Sequence, residues 1–402
     1  MTGRPASLFV VTVRGTGRAV GPVAAGPTPT DRRRVHPRRI SAMPATLAPR
    51  RRRVRWWHVA AALGVLAGVL AAIAFLPGEE PAQRKRQGPP GTGPLTVVSI
   101  GDSTLSGEGT GTYTPETDGR GGNWCHRSPD AVIHHVDLPG VRRKINLACS
   151  GATTELVRLG TARRYTEGSQ AAQLRRIAKT HRVTAVVVAV GANDDPRFSA
   201  RLTDCAKAYW GPTPCTEAMR RDWPQIIERM VPKVVRALQD IRTALADAGY
   251  RRGDYQLVLL SYASPVSPDI PESLRSLNGC PFRKSDLEWI RSTGVRELSE
   301  GMRRAADEAG ARFLDLSRAG EGHEACTGGD DPSSEWFTRL TVRWDDLRDE
   351  VRASHAAQES FHANKEGHRQ IGRCVSEFLA MPEPRAACLP GDDGDLHAAP
   401  TE

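Results

Sequence analysis

Leu95-Thr96-Val97-Val98-Ser99-Ile100-Gly101-Asp102-Ser103 is an apolar, partly β-branched run that stops at glycine, aspartate and serine and opens into Ser106-Gly107-Glu108-Gly109. Such a run predicts a buried strand, and the carboxyl ends of strands are where open α/β sheets build their sites. Ser103 at that edge is either a presented hydroxyl nucleophile or a helix cap, since serine suits both positions. Three further segments weigh on the choice. Asn146-Leu147-Ala148-Cys149-Ser150-Gly151-Ala152-Thr153 ends an apolar stretch in small residues, with a glycine that lets backbone approach a ligand closely. Ala185-Val186-Val187-Val188-Ala189-Val190 is a fully apolar strand pattern ending in Gly191-Ala192-Asn193-Asp194. Glu359-Ser360-Phe361-His362-Ala363-Asn364 precedes an amphipathic stretch from Lys365 to Leu379.

Between these segments strands and helices alternate. Ile226, Ile227, Met230, Val231, Val234, Leu238, Ile241 and Leu245 mark one face of a long core-facing helix, Leu257-Val258-Leu259-Leu260 the next strand and Arg312-Phe313-Leu314-Asp315-Leu316 a last one. Strands separated by helices predict an α/β fold with a mostly parallel sheet covered on both faces.

Together the four segments resemble the SGNH hydrolases, the GDSL-type esterases and lipases, in particular their secreted actinobacterial branch, over roughly Leu95 to Leu389. The resemblance implies a three-layer α/β/α sandwich around a doubly wound sheet of about five strands in the order 2-1-3-4-5. It also implies acyl transfer without metal or cofactor, with Ser103 as nucleophile and His362 as general base and acid. Donors to the oxyanion would be the backbone N–H groups of Ser103 and Gly151 and the Asn193 side chain. Two positions depart from the family pattern. Thr104 stands where a leucine or aromatic follows the serine, and Glu359 occupies the place of the aspartate that orients the histidine. That role needs a hydrogen-bond acceptor at the imidazole, which either Glu359 or a backbone carbonyl can supply.

Other polar residues receive quieter readings. Asp102 is expected to bond local backbone, Asp194 and Asp195 to sit in a turn, and His368 to lie in the last helix, solvent-facing or packed. His134, His135, His323 and His355 have no companion at metal-ligand spacing, so no metal site is read. Candidate substrate walls are Thr110 to Arg127, Pro196 to Pro214 and Pro265 to Lys284, whose Tyr113, Trp124, Trp210 and Phe282 either line an acyl groove or pack within loops.

The charge of the chain is uneven. Of its 56 Lys and Arg and 46 Asp and Glu, the first ninety residues hold 16 and 3, so the formal net charge of +10 belongs to the lead. Residues 1–55 read as a basic, disordered cytoplasmic segment, with Met43 as an alternative start, and residues 56–76 contain an uncharged run from Val59 to Leu76 behind Arg50-Arg51-Arg52-Arg53. That run predicts a single membrane span with the catalytic domain outside, or a signal segment cleaved near Ala72-Ile73-Ala74. Arginines directly before an apolar run are topology signals, and nucleic acid is not an expected partner. Residues 77–94 read as a linker and 95–402 as the hydrolase domain.

All eight cysteines follow the apolar run, as suits a protein oxidised outside the cytosol. Sequential pairing is the economical expectation: Cys125 with Cys149, Cys205 with Cys215, Cys280 with Cys326 and Cys374 with Cys388, the first three also favoured by the resemblance. The function these readings lead to is an exported serine esterase or lipase acting on acyl esters or lipids. An acyltransferase on the same scaffold and a catalytically silent surface binding module are the alternatives.

Overall fold

The computed structural model describes residues 88–195, 205 and 208–401, together with Trp57, Ala61 and residues 63–65, which are helical. The chain divides into two units, Met1–Gly78 and Glu79–Glu402; the second carries the sheet and the candidate site. Apart from the positions named, the segments 1–55 and 56–76 lie outside the described residues, as do the first part of the 77–94 linker and most of the Pro196 to Pro214 wall. Among the described residues no helix is long and apolar enough to cross a membrane.

A single sheet of seven strands has the order β2-β1-β3-β4-β5-β6-β7. β1 (Leu95–Gly101), β2 (Arg143–Asn146), β3 (Arg182–Ala189), β4 (Gln256–Leu260) and β5 (Arg312–Asp315) form the expected parallel 2-1-3-4-5 core. The expectation of about five strands is corrected by two more. β6 (Arg385–Pro390) joins β5 in parallel, and β7 (Leu396–Pro400) returns antiparallel to it. The interior of β6 is Ala-Ala-Cys, without the β-branched residues that announce a strand.

Two helical layers complete the sandwich. α3 (Gln170–Ala178), α4 (Thr216–Ala246) and α5 (Val295–Ala309) pack side by side as one layer, numbering from α1 (Ser103–Ser106) and α2 (Val132–His135). The other layer joins α2 to α6 (Lys365–Ala380), where Gly372 leaves no room for a Cβ between the helices: one would lie 2.5 Å from the His135 Cβ. Four disulfides close, Cys125–Cys149, Cys205–Cys215, Cys280–Cys326 and Cys374–Cys388, and the last fastens α6 to β6.

β1 and β3 pair along their whole lengths, from Leu95 opposite Arg182 to Gly101 opposite Ala189. At Gly101 the backbone has φ +138°, and a Cβ there would lie 1.8 Å from the Ala189 carbonyl oxygen. The Gln170 carboxamide clamps this glycine from the side, accepting from its N–H at 2.7 Å and donating to its carbonyl at 2.9 Å. Gly101→Ala therefore combines a strained φ with overpacking against backbone that cannot recede, and should cost about 3 kcal/mol of stability or more. Denaturant unfolding measures it, and a cost under about 1 kcal/mol would show that β1 and β3 can move apart.

Candidate active site

Directly after Gly101 the Asp102 N–H donates to the Ala189 carbonyl at 2.9 Å, and the chain turns into α1. Asp102 caps that helix, its Oδ1 accepting from Thr104 N at 3.1 Å, so the local bond expected of it is present. Its other oxygen accepts from the Tyr262 hydroxyl at 2.6 Å and lies 3.5 Å from Asn193 Nδ2. Full burial raises the Asp102 carboxyl to about 6, against the lowering effect of the Tyr262 hydrogen bond.

Ser103, the first residue of α1, meets the loop before α6. Its Oγ lies 2.9 Å from His362 Nε2, while His362 Nδ1 lies 3.1 Å from the carbonyl oxygen of Ser360. Phe361 just before the histidine has φ +58° and packs edge-on against buried Phe282 at 4.9 Å. Thr338 Oγ1 donates to the Glu359 carbonyl at 2.6 Å, and the Thr338 N–H donates to the His362 carbonyl at 2.8 Å. The histidine is thus held by backbone on both sides.

Glu359 is not brought to the imidazole. Its carboxylate accepts from Tyr113 Oη at 2.6 Å and from the Arg343 guanidinium, so of the two acceptors the sequence left open, Glu359 and a backbone carbonyl, it is the Ser360 carbonyl that faces Nδ1. A cation and a phenol from other loops hold the carboxylate, and among the described residues the acceptor at Nδ1 is a main-chain carbonyl.

The segment before Gly151 accounts for its amides one by one. Leu147 N donates to Ser99 O, Ala148 N to Asn146 Oδ1, Cys149 N to Gly101 O, Ser150 N to Cys125 O and Ala152 N to Cys149 O. Among the described residues the Gly151 N–H alone in this run has no protein acceptor, and the Ser103 N–H has none either. Asn193, after β3, donates through Nδ2 to the Ala152 carbonyl at 3.3 Å besides facing Asp102. Asp194 accepts from Thr154 N at 2.8 Å, and Asp195 pairs with Arg229 at 3.4 Å, so both fasten their turn to neighbouring helices.

Sequence reading missed a buried polar cluster behind the pair. Glu108 is fully buried; its carboxylate accepts from His126 Nδ1 at 2.8 Å, from Gln358 Nε2 at 2.7 Å, from Tyr113 Oη at 3.2 Å and from Ser150 Oγ. Burial by itself would raise this carboxyl, but the His126 hydrogen bond and electrostatic interactions with His126 and His362 bring it down to about 2. Gly109 follows with φ +90°, and a Cβ there would lie 2.9 Å from the His362 Cβ. No spacing rule links Glu108 to Gln358 or His126; a glutamate between two glycines after the serine turn was the one available hint.

The described parts of the first and third candidate walls are packed rather than open. Tyr113 stacks on His126 at 4.0 Å, Trp124 stacks on His355 at 4.1 Å and Phe282 is in the core, while Trp210 is exposed. Among the described residues no cluster of His, Cys, Asp or Glu is arranged to hold a metal ion.

A serine on a tight strand-to-helix turn, with a histidine on its hydroxyl, stands at the edge of a mostly parallel sheet in a three-layer α/β sandwich. The chain belongs to the GDSL-like lipase/acylhydrolase family, whose sequence pattern matches residues 99–370, and it is an ester-hydrolysing enzyme. Lipase 2 of Streptomyces coelicolor is 26% identical to it over 251 residues, 61% of this chain and 77% of that one. Among solved structures it is similar to an extracellular lipase from Streptomyces rimosus, with 19% identity, a TM-score of 0.46 and coverage of 68% of this chain and 94% of that one. It is also similar to phospholipase A1 from Streptomyces albidoflavus, with 17% identity, a TM-score of 0.47 and coverage of 71% and 97%.

His368, expected in the last helix, is there and is packed rather than solvent-facing: it is fully buried, Nε2 bonds the Glu108 carbonyl at 3.1 Å and Nδ1 has no partner among the described residues. Burial lowers its pKa from 6.5 to about 4, so the unfolded chain takes up this proton first. The stability tied to a neutral His368 is complete above pH 6.5 and is lost as the pH falls towards 4. Asp102, raised from 3.8 to about 6, works in the opposite sense, because the folded state gains as it protonates below 6. Glu108 contributes stability above 4.5 that is lost as the pH falls towards 2. His368→Asn should therefore reduce the fall in Tm between pH 6.5 and 4; melts of both proteins across that range test it, and equal slopes would rule it out.

Proposed function

We propose that this chain is an exported serine esterase or lipase working through an acyl-enzyme, with Ser103 as nucleophile and His362 as its base. The observation that carries the reading is the 2.9 Å approach of His362 Nε2 to Ser103 Oγ while Nδ1 faces the Ser360 carbonyl. A carbonyl only accepts, so Nδ1 carries the hydrogen and Nε2 keeps the lone pair that takes the serine proton. Ser103 Oγ then attacks the ester carbonyl carbon, and His362 returns the proton to the departing alcohol. Water repeats the sequence on the acyl-enzyme, and Ser103 is regenerated.

The tetrahedral oxyanion formed in each half is taken by the N–H groups of Ser103 and Gly151 and by Asn193 Nδ2. Support comes from the free state of both amides, and from the length of the Asn193 contacts, 3.3 and 3.5 Å, which leave that carboxamide able to donate elsewhere. Orientation of His362 falls to the Ser360 carbonyl, making the site a dyad. Export is supported by the pairing of all eight cysteines and by the arginine block ahead of the apolar lead.

Hydrolysis of p-nitrophenyl esters from acetate to palmitate by the purified chain tests the reading. Ser103→Ala should reduce kcat by about 10⁴-fold or more. Retention of the wild-type rate would remove the serine from the mechanism, and release of an alkyl ester when an alcohol is added would assign the acyl group to transfer instead. Glu359→Gln should keep kcat within about tenfold of wild type, whereas a loss near 10⁴-fold would restore the glutamate as the orienting acid.

A further inference from the structure

Arg164 lies beside this site without any role in the dyad. It opens a tight turn in which Arg164 N donates to Glu167 O at 3.0 Å and Glu167 N to Arg164 O at 2.9 Å, with Tyr165 at φ +52° between them. The guanidinium is fixed by three contacts. Nε donates to the Ser150 carbonyl at 2.7 Å, Nη2 to the Tyr165 hydroxyl at 3.1 Å, and the guanidinium carbon stands 4.7 Å over the Tyr165 ring. It also closes on Gly151, where a Cβ would come 2.1 Å from Nη2. Among the described residues no carboxylate comes within ion-pair distance of Arg164, and Glu167, the acid on the same turn, is taken by Arg127.

We infer that Arg164 is a positioning residue for ester hydrolysis, orienting and polarising the Ser150–Gly151 peptide whose N–H donates to the oxyanion. The inference rests on the assignment of Gly151 to the oxyanion hole. A carbonyl and the N–H of the same peptide bond point in opposite directions, so a group that holds the Ser150 oxygen fixes where the Gly151 hydrogen points. A charged donor on that oxygen is among the stronger hydrogen bonds, and it draws electron density from the peptide so that its N–H becomes a better donor. Turning the peptide over would detach the Ser150 oxygen from Arg164 and aim it at the place where negative charge develops. Because that charge exists only in the tetrahedral state, the effect belongs to kcat and not to ground-state binding.

The test compares Arg164→Gln and Arg164→Lys with wild type on p-nitrophenyl butyrate. Loss of a whole oxyanion donor costs about 10²–10³-fold in kcat, so loss of its orientation and polarisation should cost about 10–100-fold, with KM within about twofold. Affinity for butylboronic acid, which adds to the serine as a tetrahedral anion, should fall in parallel. Binding of uncleaved p-nitrophenyl butyrate in a Ser103→Ala background should not change when Arg164→Gln is added. Arg164→Lys keeps the charge and loses the fixed fork, so it should fall between the two and serves should the glutamine variant not fold. A loss confined to KM, or a fall in kcat with boronate affinity intact, would reduce Arg164 to a loop staple and overturn the inference. Full activity in Arg164→Gln while Ser103→Ala is dead would overturn it alone, whereas activity surviving in Ser103→Ala would overturn the site reading beneath it.

Discussion

At Gly101 the backbone of β1 runs against the Ala189 carbonyl of β3 with no space for a side chain, and the ends of the two strands are locked at one level. One residue on, Asp102 donates its N–H to that same carbonyl, so the turn that presents Ser103 is tied to the strand that leads to Asn193. Gln170 fills the remaining hydrogen-bonding capacity of Gly101, and Cys149 N donates to the Gly101 carbonyl from the Gly151 side. Three loops therefore converge on one glycine. An error of an ångström in a reacting group can cost a hundredfold in rate, and a junction with no slack is a physical means of avoiding it.

The charges near the site divide into those that are balanced and those that are held. Glu359 is neutralised by Arg343 and shared with Tyr113, which makes it a tie between the loop before His362 and the loop after Ser103. Glu108 is buried among four donors, and its negative charge is favoured by the positive charge that His362 carries when protonated. His362 Nδ1 faces the Ser360 carbonyl, and the Glu359 and Glu108 carboxylates are each engaged by other side chains.

What was legible in the sequence is what local pattern encodes. The β1 and β3 runs are long, apolar and bounded by glycine, so the sheet core could be read directly, whereas the roles of Ser103, Gly151 and Asn193 followed from the resemblance to the SGNH hydrolases. His362 was placed by the same resemblance, through the block that precedes the last amphipathic helix. The choice between Glu359 and a backbone carbonyl as the acceptor at the imidazole stayed open because three residues of spacing say nothing of Arg343 and Tyr113, which engage the glutamate from elsewhere in the chain. β6 and β7 escaped notice because Ala-Ala-Cys has little strand character and takes its conformation from the β5 edge and the Cys374–Cys388 bond. The Glu108 cluster and Arg164 were illegible for another reason: their partners are isolated residues with no period or motif to announce them.

Backbone that packs tightly usually consumes its own donors, and the Leu147 to Ala152 run nearly does. Five of its six amides are spent on Ser99, Asn146, Gly101, Cys125 and Cys149, each on a different part of the site's frame. Carbonyls in the same run are held by two arginines, Arg127 on Ala148 at 2.9 Å and Arg164 on Ser150 at 2.7 Å. A peptide segment pinned at nearly every polar atom has very few conformations, and the N–H left over at Gly151 points where the others force it to point. Preorganisation of this kind needs no reorganisation when charge appears, which is the condition under which a single N–H is worth most.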